Sequence, residues 1–308
     1  MNPTLFMMVG IPGSGKSITA TVYSIEHNAK IFSSDEYRLR LLGDESEQSN
    51  NKLVFDTLYS DIAFELSNGI NCILDATNIS VKSRSKSIIA IKSLLKNRYH
   101  SNINFNINAI VCLSNISDCI VRDAARNRSV GKDVILKFVS RFEFPQYFEG
   151  FYYIMLVNTE CSSRADFYSR MSGFNQNSKY HKYDLLTHSL LLSDYFNEED
   201  VRHEAAIFHD IGKVFTETKD SEGYSHYYCH ANYSAYIVAC NISIFKSLYS
   251  KPKDVLDIIF YINQHMHIRD IIKSEKAIKR YKELWGEDRF NKLVEFMNND
   301  NKASGRCY

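Results

Sequence analysis

Gly10-Ile-Pro-Gly-Ser-Gly-Lys16-Ser17 follows an apolar run and precedes helix-like spacing, and the pattern G-x-x-x-x-G-K-S in that setting binds phosphate. Gly10, Gly13 and Gly15 permit a backbone whose successive N–H groups, with those of Ser14 and the helix start, point inward at the β- and γ-phosphates of a nucleoside triphosphate. Lys16 adds a point charge there, and the Ser17 hydroxyl suits the shell of Mg²⁺. Asp35, in Ser33-Ser34-Asp35-Glu36-Tyr37-Arg38, ends a second apolar run, where a base for an attacking hydroxyl belongs, with Arg38 one turn on to hold an acceptor phosphate. An N-cap at Ser34 or Asp35 beside a solvated arginine fits the same spacing. Asp75 closes a third run and either orients Mg²⁺ through water or caps the next helix. Arg122, Arg126 and Arg128 suit a lid over a triphosphate, the first two sharing a helix face, or else form a solvated basic face.

The second half carries another set. Asp184 and His188 stand four apart on one helix face, and His209-Asp210-Ile-Gly-Lys213 follows on the next helix. His209, Asp210 and an imidazole from His188 either meet at an ion beside the helix, Mn²⁺, Fe²⁺, Co²⁺, Ni²⁺ or Mg²⁺ without strong selection among them, or form a capped, hydrogen-bonded core element. Lys213, three after Asp210, projects from the same face toward a phosphate on that ion.

These residues need a frame. Leu5–Val9, Lys30–Ser33, Ile70–Asp75, Ile107–Leu113 and Tyr152–Val157 read as strands alternating with helical stretches, the pattern of a parallel sheet with crossover helices. Residues 1–158 are expected to form this α/β domain, 159–178 a polar linker, and 179–308 an all-α domain. In the latter, helical spacing runs over Tyr183–Tyr195, Val201–Val214, Ala231–Leu248, Val255–Met266, Ser274–Trp285 and Phe290–Asn298. A length of 308 residues accommodates two domains with cores of their own. Seven scattered cysteines without a Cys-x-x-Cys pair argue against a disulfide frame or a zinc finger. No signal-peptide pattern or membrane-length apolar run is present, so a cytoplasmic enzyme is expected, bacterial or, if phage-encoded, in the host cytoplasm. A net charge of +1 leaves nucleic-acid binding to local patches such as Lys82, Arg84, Lys86, Lys92, Lys96 and Arg98, which equally read as a solvated helix face.

The series GIPGSGKS, DEYR, LDATN and RDAARNRSVGKDV resembles the 5′-kinase module of phage polynucleotide kinases across nearly all of 1–158. The resemblance implies Asp35 as general base, Arg38 on the acceptor phosphate, and Arg122 and Arg126 as lid arginines, with ATP or another NTP and Mg²⁺. Residues 179–308 resemble HD-type metal-dependent phosphohydrolases, nearest to the domain found in RNA-end-healing kinases and tRNA nucleotidyltransferases. That implies His188, His209, Asp210 and Asp300 on one metal, with His230 and His265 on a second metal or on substrate phosphate. His226 rivals His230 and Asp270 rivals Asp300, whose local match is better, while His203 and His267 read as structural or exposed. Together the halves imply an RNA end-healing enzyme acting on RNA or DNA ends. It would phosphorylate a 5′-OH, hydrolyse 2′,3′-cyclic, 2′ or 3′ phosphate, and leave sealing to a separate ligase. A small-molecule kinase joined to an HD nucleotidase, or to a regulatory HD module, is the alternative.

Overall fold

Central strand β1 (Thr4–Val9) is buried along nearly its whole length, as its run Leu-Phe-Met-Met-Val demands of a strand covered on both faces. A computed structural model describes residues 2–99, 103–158, 162–177, 181–249 and 251–305. Residues 159–161 and 178 of the expected linker, and also Lys179, Tyr180, Cys161 and Cys307, lie outside the described residues. Two compact units divide the chain, the first running to Phe138 and taking in Glu143–Val157, the second holding Val139–Phe142 and continuing from Asn158.

In the first unit, α1 (Lys16–Glu26), β2 (Ala29–Ser33), α2 (Ser34–Leu42), α3 (Asn51–Ser67), β3 (Asn71–Asp75), α4 (Val81–Asn97), β4 (Asn106–Leu113), α5 (Ile116–Ala124), α6 (Lys132–Val139) and β5 (Tyr153–Asn158) follow β1. The five-stranded sheet has the order β2-β3-β1-β4-β5, and β1 with β3, β1 with β4, and β2 with β3 all pair in parallel. The chain leaves β1 to one side for β2 and β3, then crosses to the other for β4. Carboxyl ends of strands at such a reversal are where open α/β sheets hold ligands. Phe6, Met8, Ala20, Ile73, Ile110 and Cys112 form a core cluster joining α1 to the sheet beneath it.

Capping assigns the two ambiguous carboxylates. The Ser33 side chain caps α2 by accepting from Glu36 N, and Ser80 caps α4 by accepting from Ser83 N, so neither Asp35 nor Asp75 serves as a cap. The basic stretch on α4 loses one member. Arg84 is 0% exposed, donates twice to Glu149 (2.7 and 2.9 Å) and once each to the carbonyls of Asn78 and Glu143 (2.9 and 2.8 Å), and so ties α4 to neighbouring loops. Lys82, Lys86, Lys92, Lys96 and Arg98 remain exposed.

The second unit is largely helical. It comprises α7 (Arg164–Met171), α8 (Leu185–Ser193), α9 (Val201–Phe208), α10 (Lys213–Thr216), α11 (His230–Ala239), α12 (Pro252–Gln264), α13 (Ile268–Ile271), α14 (Glu275–Trp285) and α15 (Glu287–Ala303). Three features differ from expectation. Within the stretch read as linker, α7 is capped by a Ser163–Asp166 box and buries Phe167 and Met171, an apolar pair four apart that its polar neighbours obscure. The helix expected over Val201–Val214 breaks at His209, with Lys213 N donating to Asp210 O at 2.9 Å across the break. A two-stranded antiparallel hairpin, β6 (Glu217–Lys219) and β7 (Ser225–Tyr227), interrupts the helices, and its strands are too short for alternation to register.

Candidate active sites

Gly13 and Gly15 adopt φ of 79° and 90°, a region side chains disfavour, and a Cβ on Gly13 would strike the backbone of Cys119. The loop therefore wraps tightly between β1 and the start of α1. Ser17 Oγ donates to Asp75 Oδ2 at 3.0 Å, and Lys16 Nζ donates to Ile11 O at 3.0 Å. Burial pulls the Lys16 ammonium below its usual pKa although Asp75 opposes the shift, and burial raises the Asp75 carboxyl against the pull of Lys16. Among the described residues, Ser14 Oγ is buried in the loop with no hydrogen-bond partner.

A cavity of about 600 Å³ joins this loop to the carboxyl end of β2. Lys16, Ser17, Asp35, Arg38, Asp75 and Arg126 all line it. Asp35 presents a side chain 60% exposed, and the Arg38 side chain, only 10% exposed, donates to Asp35 Oδ1 at 2.7 Å and to Asn51 Oδ1 at 3.3 Å. Arg122 and Arg126 do not share a helical face, because α5 ends at Ala124 and Arg126 N turns back to Asp123 O at 3.1 Å. Arg122 instead donates to Ser114 Oγ (2.9 Å) and Gly13 O (3.4 Å), bracing the loop from outside the cavity. Arg126 and Arg128 line the cavity, Arg128 near Glu45 at 3.9 Å. Asp123, passed over in the sequence, sets this turn: its Oδ2 accepts from Ser129 Oγ (2.6 Å), Val130 N (3.0 Å) and Gly131 N (3.0 Å). Its signal was an Asp followed six residues later by Ser-Val-Gly.

In the second unit, α8, the α9–α10 turn, α11, α12 and α15 each send one or two donors to a common point. His188, His209, Asp210, His230, His265 and Asp300 are all buried. Asp300 Oδ1 lies 3.1 Å from His188 Nε2 and 3.6 Å from His209 Nε2, and Asp210 Oδ2 lies 3.2 Å from His209 Nε2. On its other side, Asp210 Oδ1 lies 3.0 Å from His230 Nε2 and 3.5 Å from His265 Nε2. His188–His209–Asp210 and Asp210–His230–His265 are thus two metal-competent triads sharing one carboxylate.

The tautomers are fixed from behind. Nδ1 of His209, His230 and His265 faces the carbonyls of Ala206, Tyr227 and Ile262 at 2.8, 2.7 and 2.7 Å, and donating there leaves each Nε2 lone pair aimed at the cluster. His209 Nε2, His188 Nε2 and Asp210 Oδ1 have no hydrogen-bond partner among the described residues despite complete burial. Buried acceptors converging without donors between them fit a cation, and imidazole with carboxylate suits a divalent first-row metal or Mg²⁺. Burial disfavours the charged His209, yet Asp210 and Asp300 push its pKa up to about 10; burial lowers His265 to about 4. Lys213 and Arg269 already pair with the two carboxylates, and a metal would take the place of the proton on His209.

Several neighbours separate from the cluster. Asp184 does not reach it; it caps α8 by accepting from Thr187 N (2.9 Å) and also accepts from Gly173 N (2.6 Å). His226 pairs with Asp220 at 2.8 Å, and Asp270, 76% exposed, pairs with Lys273 at 2.7 Å. His267 is exposed and His203 half-buried, away from the cluster. Lys213 Nζ sits 2.5 Å from Asp210 Oδ2, donates to Gln176 Oε1 at 2.8 Å and approaches His181 Nε2 at 3.3 Å. Arg269 Nη2 binds Asp300 Oδ2 at 2.6 Å. Gln176 and Arg269 stand outside any motif, so their neighbourhood was not legible in the sequence.

Residues 5–145 match the AAA_33 family model, an AAA domain. No curated protein matches the chain. Part of the chain is similar to a solved structure of the Pnkp1/Rnl/Hen1 RNA repair complex (24% identity, 45% of this chain and 43% of that one, TM-score 0.37). It is also similar to a fungal RNA kinase (14%, 49% and 72%, TM-score 0.36) and to shikimate kinase from Acinetobacter baumannii in complex with shikimate (14%, 51% and 84%, TM-score 0.32). The chain spans less than half the length of the repair-complex chain it matches. No helix among the described residues is long and apolar enough to cross a membrane. Loop, parallel sheet and family match together give the first unit the fold of P-loop kinases.

Proposed function

We propose that the chain heals broken RNA ends, the first unit phosphorylating a 5′-OH and the second hydrolysing a 2′,3′-cyclic, 2′ or 3′ phosphate. What supports the reading is that each unit has a cavity of its own, one on the loop at Gly10–Ser17 and one on two metal-competent triads joined at Asp210. Asp35, exposed to the first cavity, accepts the proton of the attacking hydroxyl as its oxygen bonds to the γ-phosphorus and the bond to the departing nucleoside diphosphate breaks. Arg38, held by Asp35 and Asn51, presents a fixed fork to the acceptor phosphate. Arg126 faces the transferring group, and Arg122 keeps the loop closed from behind. ATP or another NTP with Mg²⁺, held by Lys16, Ser17 and the loop N–H groups, supplies the phosphoryl group and offsets its charge.

In the second unit, His188, His209 and Asp210, with Asp300 beside them, would hold one divalent ion, and His230 and His265 with Asp210 a second ion or the phosphate. A divalent ion there supplies Lewis-acid charge to the phosphoester and eases deprotonation of an attacking water. Lys213 places a cation beside Asp210 for a phosphoryl oxygen. On this reading the healed ends pass to an RNA ligase for sealing. A small-molecule kinase with an HD nucleotidase draws on one observation, the loss of Arg84 from the basic face of α4.

The test uses γ-labelled ATP, Mg²⁺, Mn²⁺ and a short RNA bearing a 5′-OH and a 2′,3′-cyclic phosphate. Asp35→Ala is expected to abolish 5′ labelling alone, and Asp210→Ala to abolish 2′,3′-end hydrolysis alone. ATP consumption with a mononucleoside but no label on RNA would sink the repair reading.

A further inference from the structure

The cavity of about 530 Å³ that contains Asp210, His230 and His265 has a second wall, formed by the hairpin β6–β7 and its flanks. That volume falls within the roughly 300–1,000 Å³ that accommodates a small organic ligand, well beyond the needs of a phosphate alone. On this wall the imidazole of His226 lies parallel to the Tyr228 ring, centroids 5.8 Å apart and planes 8° apart. The imidazole is held in place. His226 Nε2 pairs with Asp220 Oδ2 at 2.8 Å, while Asp220 Oδ1 accepts from Glu222 N at 2.9 Å and from Tyr224 N at 3.0 Å. Tyr228 itself is 72% exposed, and its ring lines the cavity beside the cluster.

Charge decides what this wall can receive. Asp220 and Glu222, in the turn between β6 and β7, line the cavity beside His226. A second phosphate would be repelled there, whereas a flat uncharged ring would not. We propose that the Tyr228–His226 pair is a stacking platform for the base of the terminal nucleotide whose phosphate enters the metal cluster. The inference rests on the phosphohydrolase reading of that cluster and names its substrate class as a nucleotide end. Stacking is tolerant of base identity, since every base has a π face, so the platform selects for a nucleotide over a simple phosphoester.

Calorimetry of the Mn²⁺-loaded full-length protein, with adenosine 2′-monophosphate and inorganic phosphate as ligands, tests this. Lys16→Ala is carried throughout, so that the loop of the first unit does not contribute. The expected result is tighter binding of the nucleotide than of phosphate, an excess that falls about tenfold in Tyr228→Ala and persists in Tyr228→Phe. Unchanged nucleotide affinity in Tyr228→Ala overturns the platform while leaving the phosphohydrolase reading intact. A Tyr228→Phe protein as weak as Tyr228→Ala also overturns it, because the hydroxyl and not the ring face would then be the contact. Absence of binding by either ligand, with no hydrolysis of RNA 2′,3′ ends, removes the phosphohydrolase reading and the platform with it.

Discussion

Arg269 binds one oxygen of Asp300 at 2.6 Å and donates to Asn301 Oδ1 at 2.7 Å, leaving the other Asp300 oxygen to face His188 and His209. Outer partners of this kind set ligand orientation, and their loss typically lowers metal affinity 10- to 100-fold. Arg269→Leu is therefore expected to weaken Mn²⁺ binding by about that factor, read by calorimetry, and an affinity within twofold of the unaltered protein would deny Arg269 its orienting role. The contrast between Arg269 and His209 shows where sequence stops speaking at this scale. His209-Asp210 carries its chemistry in adjacent letters, and the loop Gly10–Ser17 in a fixed spacing. Arg269, Gln176 and the braced Arg122 acquire their roles only from a partner distant in the chain, and Arg84 reads as surface charge until Glu149 is found beside it.

Elements bring donors within reach of one another, and one close approach governs the second unit. A Cβ on Gly212 would meet the backbone of His230 and, at 2.7 Å, Ser234 N, while Gly212 N donates to Ser234 Oγ at 2.8 Å. Its φ of −60° is ordinary, so the glycine is needed for space and not for conformation. Gly212→Ala should push α11 off the α9–α10 turn and draw His230 from Asp210, with an overpacking cost of roughly 1–3 kcal/mol. The unfolding temperature and the proposed 2′,3′-phosphate hydrolysis are both expected to fall; an alanine variant equal to the unaltered protein in both would place the packing elsewhere. Strands and helices of the first unit were legible because buried parallel strands are continuous apolar runs, as in β1 and β4. The hairpin was not, since β6 is Glu-Thr-Lys and exposed throughout. Nor was the break after Phe208, because the apolar spacing of Phe208, Ile211 and Val214 continues across it.

At the scale of the whole molecule, the second unit gathers metal donors from His188 to Asp300, a spread of sequence that only the folded chain brings together. A cation that binds the folded state alone stabilises it by RT ln(1 + [L]/Kd), about 2.7 kcal/mol at a hundredfold excess over Kd. The chain's one tryptophan, Trp285, lies in this unit, with ring centroids 5.2 Å from Phe260 and 4.5 Å from Tyr281. Its fluorescence therefore reports the unfolding of the unit that holds the cluster, without a tryptophan signal from the first unit. Saturating Mn²⁺ should raise the Trp285 transition by roughly 5–10 °C, and a chelator should return it. Asp210→Asn, which removes charge from the carboxylate shared by both triads, should abolish the shift while leaving the volume of the side chain intact. An equal Mn²⁺ shift in that variant would mean that the ion binds elsewhere, and the convergence of the histidines on Asp210 would then have to be explained by hydrogen bonding within the protein alone.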